Sequence, residues 1–134
     1  MRLFHLFFGV LLFVAFLLTG QYMDIYHNHL EGMADGPRLL MRSRHIYILL
    51  AALLNLGLGA YFTPRRAAWR RGMQYAGSAL VAASSALLVA AFFYEPRWPA
   101  FYTPLSRLGL YTVLAGTLFH VFGGAARREV SADA

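Results

Sequence analysis

The chain has 134 residues, 59% of them hydrophobic and 13% charged, whereas an ordinary soluble domain is about half apolar and a quarter charged. A soluble domain of this size would lack the polar residues to cover its surface, so the apolar excess calls for lipid. The absence of cysteine excludes disulfides, thiolate metal sites, covalently attached haem and cysteine nucleophiles. The net charge of +6 comes from arginines that flank apolar runs, a topological pattern that points away from a nucleic-acid partner.

The composition predicts an all-α fold, with residues 1–134 forming a single domain of four transmembrane helices joined by short polar connections. Their expected limits are about 3–26, 44–62, 71–94 and 105–122, each close to the roughly 20 residues that cross a ~30 Å hydrocarbon core. A cleaved signal peptide is the competing reading of the first stretch, but no small-x-small pattern follows it. Before the second span, Pro37 can open a helix continuous with it. Arg38, Leu39, Leu40, Met41 and Arg42 would then lie along the headgroups as an interfacial turn. Thr63 with Pro64, and Thr103 with Pro104, pair a capping residue with a proline suited to a first helical turn, and Gly123 with Gly124 suits the end of the last helix.

Seven arginines (Arg2, Arg65, Arg66, Arg70, Arg71, Arg127 and Arg128) fall on one side of this arrangement and five (Arg38, Arg42, Arg44, Arg97 and Arg107) on the other. The positive-inside rule therefore puts both termini in the cytoplasm of a bacterial inner membrane. Tyr22, Tyr26, Tyr61, Trp69, Tyr94, Trp98 and Tyr102 fall at the expected interfaces and read as an aromatic belt. Glu95-Pro96-Arg97-Trp98-Pro99 reads as a stiff connection without chemistry. Ser43-Arg44 and Ser106-Arg107, each with a tyrosine soon after, form a faint duplication between the two halves.

Polar side chains at membrane depth are costly and normally face the bundle interior. His45, Ala52, Asn55 and Gly59 share one stripe of the second helix, and Gln74, Ser78, Val81 and Ser85 share one of the third. Hydrogen bonds across helix contacts account for them. On the outer helices His5 stands four residues before Gly9, and Gly116 four before His120. The two helices are antiparallel, so both histidines fall near one leaflet. A histidine from each of two helices can ligate haem b, and a glycine one turn away would make room for the macrocycle. The bland alternative makes both interfacial side chains.

Three of the five histidines gather on the outer side, where Asp24, His27, His29 and His45 offer nitrogen and oxygen ligands for Cu, Zn or Fe. Nearby Met23, Met33 and Met41 would add thioethers that suit cuprous copper. Chelation by His27 and His29 requires extended chain, hence a first helix that ends before them. An outer-leaflet haem on His45 and His27 or His29, with Arg44 and its neighbours on the propionates, is a further arrangement. A polar loop rich in such residues for solubility alone is its rival.

This layout resembles that of four-helix membrane b-type cytochromes, which implies a haem b protein passing electrons between quinone and a membrane redox complex. A non-catalytic accessory or assembly subunit, in a homo- or hetero-oligomer within the lipid bilayer, is the alternative expectation. A metal-handling protein using the outer loop is the third.

Overall fold

The computed structural model describes residues 1–98 and 102–124, which are helical, with no strand among them. The elements are α1 (Arg2–His27), a 3-10 turn (Asn28–Leu30), α2 (Asp35–Tyr61), α3 (Ala68–Tyr94), a second 3-10 turn (Glu95–Arg97) and α4 (Pro104–Gly124). At 1.5 Å rise per residue, the shortest helix, 21 residues in α4, reaches about 32 Å. All four are long and apolar enough to cross a membrane. Arg127, Arg128 and Pro99, used above to argue topology and stiffness, lie outside the described residues.

The helices form two antiparallel hairpins, α1 with α2 and α3 with α4, which meet along α2 and α3. Glycine sets how closely each hairpin closes. A Cβ added at Gly59 would stand 2.6 Å from the Leu6 backbone nitrogen, and one at Gly9 would stand 2.7 Å from that of Leu56. In the second hairpin a Cβ at Gly77 would meet the Gly116 carbonyl at 2.8 Å. Small residues that let backbones approach are how helices gain van der Waals contact where lipid competes for apolar surface.

The start of α1, the connection from α2 to α3 and the end of α4 share one end of the bundle, here the termini end. Arg2 Nε donates to the Gly59 carbonyl at 3.1 Å, and Arg65 Nη2 donates to the Gly124 carbonyl. The two 3-10 turns occupy the opposite, turn end. Leu12, Ala51, Ala52 and Leu88 pack at mid-depth, and Leu30, Met41, Ile48 and Phe92 toward the turn end. Large apolar side chains outside this core, such as Phe7, Leu11, Leu18 and Ile25 of α1, point away from the bundle.

Two limits differ from expectation. Thr63 and Pro64 do not open α3, which begins at Ala68 without a side-chain cap. Instead, Gln74 reaches back to the connection, accepting from Arg65 N at 3.0 Å and donating to Thr63 O at 3.2 Å. The side chain thus satisfies loop backbone that would otherwise be bare. The second difference is that α2 starts at Asp35 as one helix through Tyr61. This agrees with a helix opened near Pro37 and continuous with the second span; the 38–42 stretch is helix and not a turn, and Met41 is buried. The helical opening at Pro104 agrees with the sequence.

The chain leaves α1 through three successive left-handed residues, Asn28 (φ 45°), His29 (φ 56°) and Leu30 (φ 67°). Only asparagine takes this region readily. Burial of Leu30 against Met41, Ile48 and Phe92 holds the turn in place.

Candidate functional site

The polar residues of the spans form two groups, one toward each end. Toward the termini end, His5 is fully buried and its Nδ1 lies 2.8 Å from Asn55 Oδ1. Asn55 Nδ2 donates to the Ala51 carbonyl and to Ser85 Oγ, both at 2.9 Å, and Ser85 Oγ donates to the Val81 carbonyl at 2.8 Å. Because the amide nitrogen is committed as donor, Oδ1 is the acceptor and His5 Nδ1 carries the proton. One hydrogen-bond chain thus ties α1, α2 and α3. It leaves His5 Nε2 as a bare lone pair, buried without a partner. On the other hairpin His120 Nε2 lies 3.2 Å from Ser78 Oγ, and its ring stands edge-on to Phe62. The stripes read from sequence are buried as expected at Ala52, Asn55, Gly59, Gln74, Ser78, Val81 and Ser85, while His45 is half-buried.

The space expected at each of the two glycines is filled, although His120 itself borders a cavity of about 210 Å³ with Leu53, Leu54 and Thr117. Gly9 is closed by the backbone and side chain of Leu56; Gly116 is closed by Val81, by the Gly77 carbonyl at 3.0 Å and by Leu80. These glycines serve helix approach, and neither borders a slot for a flat ring. His5 Nε2 has the bare lone pair of an axial ligand, held by the kind of Nδ1 bond that orients one. Its intended counterpart, His120 Nε2, is engaged by Ser78. As packed, these residues do not fit a haem held between His5 and His120.

Toward the turn end, Arg44 and Glu95 are both buried and joined by a 2.9 Å bond from Arg44 Nε to Glu95 Oε2. Glu95 also accepts from Ser106 N at 2.9 Å and Ser106 Oγ at 2.6 Å. A carboxylate at the end of α3 therefore binds α2 on one side and the first turn of α4 on the other. Arg44 is a buried structural cation, unlike the propionate partner expected at the headgroups. Glu95, read above as part of an inert connection, is the residue most plainly missed. Local sequence carries no signal for it, because Arg44 of α2 and Ser106 of α4 converge on the carboxylate only through the fold.

His45 sits beside this pair. Its Nδ1 lies 3.0 Å from Thr19 Oγ1, its ring stacks on Phe16 with centroids 4.2 Å apart, and a Cβ at Gly20 would approach it at 3.3 Å. Its surroundings are packing contacts on α1 and α3.

The outer residues are not assembled as a metal centre would need. His29 pairs with Asp24, while His27 is the last residue of α1, edge-on to Tyr22. The helix runs through His27 and the chain then turns left-handed, so the extended geometry needed for chelation by His27 and His29 is absent. Among the described residues, no three histidine or acidic side chains come together in a way that could hold a metal ion. Met33, Met41 and His27 do line one cavity of about 310 Å³, shared with Tyr22, Phe92 and Arg97. No protein-family model, curated protein or solved structure matches this chain.

Proposed function

We propose that the chain crosses a bacterial inner membrane four times, with both termini in the cytoplasm, and serves as a non-catalytic accessory or assembly subunit of a larger membrane complex. Four long apolar helices whose outward faces carry large hydrophobic side chains support insertion. The arginines support the orientation. Arg2, Arg65, Arg66, Arg70 and Arg71 lie toward the termini end, whereas Arg44 at the other end is neutralised by Glu95.

The accessory role rests on one observation. Within the helices the fully buried polar side chains bond to one another or to backbone; the unpartnered buried atoms are His5 Nε2 and Ser84 Oγ, on residues sealed from the surface, with Arg38 Nε and Arg65 Nε toward the ends of the bundle. Such groups specify helix register and contact, and none of these fully buried side chains lines the cavities of about 440, 310 or 210 Å³.

The test is purification of the tagged chain from its own membrane in mild detergent. The expected result is a colourless protein migrating in an assembly well above its own 15.0 kDa. A Soret band at one haem per chain, lost in His5→Ala, would overturn the proposal, as would a chain that migrates only with itself. Reporters active only in the cytoplasm should work at both termini, and silence at either refutes the orientation.

A further inference from the structure

We infer that the crevice between α1 and α3 holds a phospholipid, its acyl chain in an apolar groove at mid-depth and its phosphate at Arg97. The groove has a volume of about 440 Å³ and is lined by Leu11, Ala15, Ala86, Ala90 and Phe93 among others, with Tyr94 also lining it. Alanine at three of these positions is what leaves the volume open, since the same face carries bulkier residues elsewhere. A void of this size in a span is filled by hydrocarbon, because neither water nor vacuum compensates the lost contacts.

Phe93 also lines the second cavity, the one of about 310 Å³ at the turn end bordered by Tyr22, His27 and Arg97. The two volumes are therefore neighbours along one crevice, apolar in the interior and polar toward the interface. Exposed Tyr22, Tyr94 and Trp98 mark that depth as the headgroup level. This is the polarity profile of a single amphiphile.

Charge selects its head. Arg97 is the one arginine among the side chains lining either cavity, and no carboxylate lines them. Two acids of the turn end are engaged elsewhere, Glu95 by Arg44 and Ser106 and Asp24 by His29. Among the described residues Arg97 has no ion-pair partner. A phosphate supplies the missing charge, with Tyr22 and His27 able to donate further hydrogen bonds. A quinone would bring an uncharged head and leave the guanidinium uncompensated.

The inference rests on the chain being embedded in a membrane. The experiment is native mass spectrometry of the full chain, delipidated in detergent and titrated with phosphatidylglycerol, phosphatidylcholine or inorganic phosphate alone. Wild type should retain one phospholipid and ignore free phosphate. Arg97→Gln should weaken phosphatidylglycerol about five- to tenfold. Ala90→Phe and, from the opposite wall, Ala15→Leu should abolish retention while circular dichroism stays helical. Arg66→Gln, at the other end, should change nothing. Unchanged binding in Arg97→Gln, or retention by both groove-filling variants, overturns the site, as does recovery of quinone in place of phospholipid by solvent extraction. A chain that stays dissolved without detergent would refute the membrane reading itself, a result distinct from an inserted chain that retains no lipid.

Discussion

Substituting Glu95 by glutamine keeps the shape of the side chain and removes its charge. The carboxylate accepts three hydrogen bonds, from Arg44 Nε, Ser106 N and Ser106 Oγ, at 2.9, 2.9 and 2.6 Å. An amide can preserve one or two of these, but its NH₂ then opposes another donor, and Arg44, 4% exposed, is left without a counter-charge. Removing one partner of a buried pair costs about 3–5 kcal/mol, or roughly two to three orders of magnitude in the folding equilibrium. Reversible unfolding in mixed micelles, followed by far-UV circular dichroism, measures the loss. The double variant Arg44→Met with Glu95→Met removes both charges at similar volume and should recover most of it, because a well-packed apolar pair roughly matches a buried ion pair. A Glu95→Gln protein within about 0.5 kcal/mol of wild type, or a double variant no better than the sum of its singles, would refute the account of this pair.

Gly59→Ala should loosen the first hairpin by about 1–3 kcal/mol, because its Cβ would meet the Leu6 backbone at 2.6 and 2.7 Å. Gly57→Ala, two residues away with nothing within 4 Å, should stay within about 0.5 kcal/mol in the same assay. Asn55→Leu leaves His5 Nδ1 without its acceptor and Ser85 without its donor, and should cost about 1–3 kcal/mol, with amide exchange rising first in α1.

The four long apolar helices were legible because stretches of about twenty mostly apolar residues have few other solutions, and the buried stripes of α2 and α3 because a 3.6-residue period marks a face. What such a period does not reveal is what stands opposite that face. Gly9 lies one turn from His5 and Gly116 one turn from His120, yet Leu56 and the Gly77 carbonyl occupy the room that a macrocycle would need. Arg44 read as a propionate partner because it stands at the expected outer start of the second span, beside His45. Its burial follows from α2 extending back to Asp35, which turns position 44 into an interior site opposite Glu95. The same limit applies to Thr63 and Pro64, whose local capping signature lost to a strap from Gln74 across the connection.

The two kinds of joint in this bundle have different consequences for how it is made. Within each hairpin the helices close through glycine-mediated contact together with short-range bonds such as His5 to Asn55 and Ser78 to His120, which each pair can form alone. The seam between hairpins is fastened by Asn55 to Ser85 and by Arg44 to Glu95. A first hairpin without α3 would carry an unpaired guanidinium and a half-satisfied amide, and would favour a mate bearing a carboxylate and a hydroxyl at matching positions along its helices. A hairpin slipped by one turn would leave these groups unpaired, so the register in which the halves dock is chemically specified.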